Sequence, residues 1–171
     1  ILNKENIKEV FLETETINLS VYERLKERLK GITFSADSKI QNSINLLRSI
    51  KEENELESIK AAQEITDKTF SYILDKIKVG KTEREIALDM EFFARKNGSD
   101  GVAFDFIVVS GKNSSLPHGV PTDKEIQNGD FITMDFGAVY KGYHSDMTRT
   151  VAVGRVTEEM RKVDQTVLDA N

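Results

Sequence analysis

The first third of the chain sets two short β-type apolar runs around one amphipathic stretch. Val10 to Leu12 and Ile32 to Phe34 predict strands. Between them a helix is predicted to open at Ser20, where Glu23 three places on completes a capping box, to bury Leu25 and Leu29, and to stop at Gly31. Residues 1 to about 36 therefore read as the tail of a small α/β domain. The period then becomes helical. Ile40, Ile44 and Leu47 recur on one face, and Leu56, Ile59, Ala62, Ile65, Phe70, Ile73 and Ile77 form a second, longer pattern that ends at Gly80, with the boundary near 51 to 54. Thr82 and Glu85 form another capping box, followed by Ile86, Met90 and Phe93 on a buried face and a stop at Gly98.

Beyond Gly98 the pattern turns to β. Phe104 to Val109, Phe131 to Phe136 and Tyr143 to Val153 are rich in β-branched and aromatic residues, with Gly, Asn, Pro and Asp between them. Phe104 and Ile107 read as core residues. Thr157 followed by Glu158 and Glu159 opens a last helix whose first turn carries the acids its dipole favours. The fold class is thus mixed α/β (α+β).

A two-residue turn at Lys141-Gly142 would pair 140 with 143, 137 with 146 and 135 with 148. Strand alternation then sets Asp135 and Asp146 on one face as diagonal neighbours, roughly 5 to 8 Å apart at the backbone. Two buried anions that close call for a cation between them, and Gly137 would leave room for one. Carboxylate oxygens suit Mn²⁺, or Zn²⁺ and Co²⁺ in mixed sites, and two metals ~3.5 to 4 Å apart can share bridging carboxylates. From spacing alone a solvated hairpin face is the commoner origin of such a pair. Thr148, opposite Asp135, is either a hydrogen-bond partner of that carboxylate or an ordinary β-branched strand residue. Arg149 points to the other face.

Composition narrows the picture. Hydrophobic residues make up 39% and charged residues 31% of 171, the balance of an ordinary globular protein. A fold of that length buries roughly 70% of its unfolded surface. No run reaches the ~18 apolar residues of a membrane span, and no basic-then-apolar leader is seen, so a cytoplasmic setting is expected. The absence of cysteine excludes disulfides and thiolate ligands. The net charge of −5 gives no basic face for nucleic acid. The start at Ile1 and the run to Asn171 read as ends cut from a longer chain.

The series Pro117-His118-Gly119, Gly129-Asp130, Asp135-Phe136-Gly137, Gly142-Tyr143 and Ser145-Asp146-Met147-Thr148-Arg149-Thr150 closely resembles the Xaa-Pro aminopeptidases and Xaa-Pro dipeptidases (prolidases) of the pita-bread metallopeptidase family. Leu47-Arg48-Ser49-Ile50-Lys51 and Gly80-Lys81-Thr82-Glu83 resemble the helices that open its catalytic domain. The resemblance implies an N-terminal half of that domain from 47 to 171, preceded over 1–46 by the end of a creatinase-like N-terminal domain. It implies that Asp135 binds one metal, that Asp146 bridges both, and that His118 lines the substrate pocket and aids proton transfer. It also implies two divalent ions, with Mn²⁺ expected first and Co²⁺ or Zn²⁺ next, a proline-containing peptide as substrate, and a homodimer. His144, just past the turn, reads as exposed.

The family completes its site with one histidine and two glutamates from the second half of the domain. His118 and His144 are the only histidines in this chain, so on its own it is expected to bind metal weakly and to lack activity. A methionine aminopeptidase is the nearest alternative, disfavoured by Phe136-Gly137, by Pro117 and by the α/β sequence ahead of the catalytic helices. A creatinase-like site without metals is disfavoured by the retention of both Asp135 and Asp146. A pita-bread module that binds peptides or partner proteins without catalysis is the alternative of a different class.

Overall fold

The computed structural model describes residues 6–36 and 38–170, the side chain of Lys39 excepted. Ile1 and Asn171, on which the expectation of cut ends rests, lie outside those residues. The chain divides into two units, Ile1–Glu52 and Glu53–Asn171.

In the first unit β1 (Glu9–Phe11) and β2 (Thr33–Ser35) pair in parallel, with Val10 opposite Phe34, and α1 (Leu19–Arg28) makes the crossover. Tyr22 meets Phe34 edge-on, with ring centroids 6.3 Å apart. α1 opens earlier than expected. Asn18 is its N-cap, in extended backbone, and its side-chain oxygen accepts the Val21 N–H at 3.0 Å while its carbonyl accepts Tyr22 N–H at 3.1 Å. Ser20 is already inside the first turn and donates its hydroxyl to Asn18. The unit closes with α2 (Ser38–Ser49).

The second unit opens with α3 (Glu53–Leu74) and α4 (Glu83–Lys96). The Thr82–Glu85 capping box is formed in both directions. Then come β3 (Gly101–Val102), β4 (Ile107–Ser110), a 3₁₀ turn over Gly111–Ser115, β5 (Phe131–Phe136), β6 (Ala138–Tyr140), β7 (Tyr143–His144), β8 (Met147–Ala152) and α5 (Glu158–Ala170). The strands form two antiparallel three-stranded sheets, ordered β3-β6-β7 and β4-β5-β8. The Thr157 hydroxyl accepts Met160 N–H and caps α5.

Register decides which side chains reach the core. Val108 stands opposite Met134, and Phe136 opposite Met147. With Ile132 they make one face of β4-β5-β8, packed with Ile73, Ile86 and Met90 of α3 and α4. Phe104 and Ile107 do not occupy this core. β4 begins only at Ile107, whose parity places it opposite Asp135, on the other face, while Phe106 closes the core edge-on against Phe136 at 5.8 Å.

Among the described residues of this unit one carboxylate side chain lies inside. Glu83, at the first turn of α4, is fully buried. Its Oε1 accepts the Ser110 N–H (2.7 Å) and hydroxyl (2.9 Å), and its Oε2 accepts the Thr122 N–H (3.1 Å) and hydroxyl (2.7 Å). Burial disfavours the charged form. The Thr122 hydroxyl, the Ser110 and Thr122 N–H groups and the Ser110 hydroxyl outweigh it and hold the carboxyl below its usual value. A group whose pKa is depressed by folding contributes stability that is complete above the unfolded-state value and is lost as pH falls through the folded-state value.

Urea unfolding should therefore show a loss of stability below about pH 4.5, the ordinary glutamate value, that is smaller in Glu83→Gln than in wild type. Ile86→Ala, which empties a fully buried position, should lower the urea midpoint by the equivalent of about 2 to 5 kcal/mol without changing the slope of the transition.

Candidate metal centre

The candidate acids stand on one long hairpin that passes from one sheet into the other. At its tip Lys141 (φ 49°) and Gly142 (φ 80°) both adopt the left-handed region, the signature of a two-residue type I′ turn. Tyr140 faces Tyr143 and Val139 faces His144 in β6-β7, and Phe136 faces Met147 and Asp135 faces Thr148 in β5-β8. These pairs share one register, and Gly137 with Ser145-Asp146 forms the junction between the two ladders. The strand expected to run unbroken from Tyr143 to Val153 is interrupted here.

The junction is held from behind. A Cβ at position 137 would run into the carbonyl oxygen of Ser145 and come within 3.0 Å of the Ala103 Cβ. Gly137 is thus required by a close backbone approach. The buried hydroxyls of Ser145 and Thr66 lie 2.6 Å apart, and Ala138 N–H donates to both, at 2.9 and 3.2 Å. The Ser145 hydroxyl also reaches the carbonyl of Ala62 at 3.1 Å, which fastens the hairpin to α3. Sequence assigns no role to Thr66, or to Ser145 although it stands in the motif, because a serine beside an aspartate and a threonine within a helical pattern carry no signal of their partnership.

In front of the junction lies the polar face of β4-β5-β8. Ile107, Val109, Thr133, Asp135, Thr148 and Thr150 share it by register. Asp135 is half-buried, and its Oδ1 accepts the Thr148 hydroxyl at 2.7 Å. Thr133 and Thr150 join hydroxyls beside them at 3.1 Å. Asp146 is exposed at the junction. Arg149 lies on the opposite face by register and donates to the Thr148 carbonyl at 2.8 Å. His144 is exposed beside the hairpin tip.

His118 comes from another element, the segment that follows the 3₁₀ turn. It is exposed, and with Asp105, Phe106, Ile107, Gly119, Val120 and Pro121 it lines a cavity of about 320 Å³. Ile107 stands directly opposite Asp135, so the cavity wall and the candidate ligand share neighbouring positions on one sheet.

The donor set fits a hard divalent ion in kind and falls short of one in number. Asp135 and Asp146 offer oxygen ligands, one of them braced by Thr148. Among the described residues no three His, Cys, Asp or Glu side chains gather as a ligand group.

Residues 57–171 match metallopeptidase family M24. The chain is 47% identical over 131 residues to the uncharacterized peptidase YqhT of Bacillus subtilis, covering 77% of this chain and 37% of that protein. It is 40% identical over 172 residues to the Xaa-Pro dipeptidase of Pyrococcus furiosus, covering 97% of this chain and 49% of that protein. The crystal structure of the X-Pro aminopeptidase of Thermotoga maritima superposes with a TM-score of 0.88 at 40% identity, covering 99% of this chain and 47% of the other. The fold expected from the resemblance, the first half of a pita-bread domain behind a small α/β piece, is the one found. The chain spans about half the length, or less, of the curated relatives it matches.

Gly137→Ala should destabilise the second unit by about 1 to 3 kcal/mol in chemical denaturation, because its methyl group meets backbone that cannot swing away. Gly101→Ala, with nothing within 4 Å of the added carbon, is the control and should be nearly neutral.

Proposed function

Because this chain belongs to metallopeptidase family M24, we propose that it is the first half of a metal-dependent Xaa-Pro peptidase, which hydrolyses the peptide bond before a proline. The observation that carries this reading is the register that aligns Asp135 with Thr148 and brings Asp146 to the adjoining junction of the same hairpin. The likeness to an Xaa-Pro dipeptidase over nearly the whole chain supports the substrate class.

In this reading Asp135 would hold one of two divalent ions and Asp146 would serve both. Thr148 orients Asp135 by donating its hydroxyl. The bound ions, Mn²⁺ first among the candidates and Co²⁺ or Zn²⁺ next, would supply Lewis-acid activation of water and of the scissile carbonyl. His118, at the cavity lined by Phe106, Ile107 and Pro121, faces the substrate, orients the scissile carbonyl and assists proton transfer. The remaining ligands lie beyond residue 171, which agrees with a chain that spans 49% of the Pyrococcus furiosus dipeptidase. Residues 1–46 then close an N-terminal domain and 47–171 begin the catalytic one. The intact protein is a cytoplasmic homodimer, and this chain alone is inactive.

Mn²⁺ titration by calorimetry, with hydrolysis of an Xaa-Pro dipeptide assayed in parallel, tests the proposal on this chain and on the full-length protein. Tight binding and turnover in the full-length form alone are expected, and absence of both there would sink the peptidase reading. In that form Asp135→Asn or Asp146→Ala should abolish metal occupancy and turnover together. His118→Ala should lower turnover about a hundredfold or more with metal content near normal.

A further inference from the structure

The full burial of Glu83 is not explained by the needs of the core. An ionised carboxylate inside a protein is costly unless every lone pair is used, and packing alone would be served better by an apolar side chain. Its two oxygens divide their work. Oε1 takes the N–H and hydroxyl of Ser110, with the Asn113 side-chain amide at 3.4 Å, and Oε2 takes the N–H and hydroxyl of Thr122. Ser110 and Thr122 bracket the segment 111–121, and His118 lies within it.

Between those ends, the part that carries His118 is open to solvent. Leu116 and Val120 are exposed, at 53% and 75%, and so are Pro117 and His118. Its internal bonds hold the 3₁₀ turn, from the Ser114 hydroxyl to Gly111 and the Ser115 hydroxyl to Lys112, and continue from Leu116 N–H to Asn113 and from Gly119 N–H to Leu116. Gly119 is buried, and a Cβ there would come within 2.6 Å of Val109 Cγ1, so the segment lies close on the polar face of β4-β5-β8 at one point beside His118. The anchored ends set where that point falls. Outside the bracket Glu83 N–H donates to Lys124 and Arg84 N–H to Thr122, and Lys124 Nζ bridges the Ser110 hydroxyl and Asp130, each at 2.8 Å.

We propose that Glu83 is a positioning residue for His118, a buried anionic clamp that holds both ends of the substrate-facing segment and acts on turnover only through the place of that imidazole. The proposal rests on the role assigned to His118 above. Only a carboxylate can accept at both oxygens; glutamine would turn an NH₂ group toward the N–H and hydroxyl of either Ser110 or Thr122. The Glu83 bonds reach Ser110 of β4 and Thr122, and none of them goes to Asp135 or Asp146, so metal binding should survive loss of the clamp. Displacement of an acid-base group by about an ångström is enough to cost on the order of a hundredfold in rate.

The test is a double-mutant cycle in the full-length protein. Glu83→Gln should lower kcat about tenfold to a hundredfold with Mn²⁺ affinity by calorimetry unchanged. In a His118→Ala background the same substitution should cost almost nothing further, because the residue it positions is gone. Equal losses in both backgrounds, or loss of Mn²⁺ affinity with activity, would overturn the proposal. Should Glu83→Gln fail to fold, Thr122→Val, which removes one donor and keeps the carboxylate, decides the matter: a several-fold loss that vanishes in the His118→Ala background is expected, and a loss that persists there overturns it. If His118→Ala alone leaves turnover unchanged, the reading of His118 fails first, and an undiminished effect of Glu83→Gln in that background identifies the clamp as structural only.

Discussion

Everything in the second unit turns on how closely two backbones approach at the middle of one hairpin. Where Gly137 has no side chain, the carbonyl of Ser145 moves in, and the hairpin leaves the β4-β5-β8 sheet for β3-β6-β7. The paired hydroxyls of Thr66 and Ser145, with the Ala138 N–H between them, keep the buried polar groups of that crossing satisfied and tie it to α3. Asp135 and Asp146 flank the crossing. Their relation is therefore set by backbone packing behind them, not by any attraction between two like charges.

A second consequence is the division of labour between the faces of β4-β5-β8. One face gives Val108, Ile132, Met134, Phe136 and Met147 to the core against Ile86 and Met90, and the other presents Asp135, Thr148 and the paired hydroxyls of Thr133 and Thr150. Rigid, fully buried packing behind a polar surface is what a ligand site requires, since ligating groups hold their geometry only when their own strands cannot shift. The segment with His118 is laid on that surface from outside. Its ends are tied to Glu83 at Ser110 and Thr122, and Gly119 lies close against Val109.

Sequence patterning alone determined the helices from Glu53 onward, the capping box at Thr82, the strands around Phe131 to Phe136 and the register of the hairpin, because periodicity, caps and a Lys-Gly turn are local signals. It also exposed the motif from His118 to Thr150. Tertiary structure decided what local signals cannot carry. The parity of β4 put Phe106 and Val108 in the core in place of Phe104 and Ile107, and the earlier first turn of α1 made Asn18 the cap in place of Ser20. The partnership of Thr66 with Ser145, 79 residues apart, and of Glu83 with Ser110 and Thr122 arises only when distant elements meet, so each residue taken singly reads as ordinary. Glu83 is the plainest case. In sequence it is one more acid in the first turn of a helix, and only the burial of that turn against β4 and the segment at Thr122 turns it into a clamp.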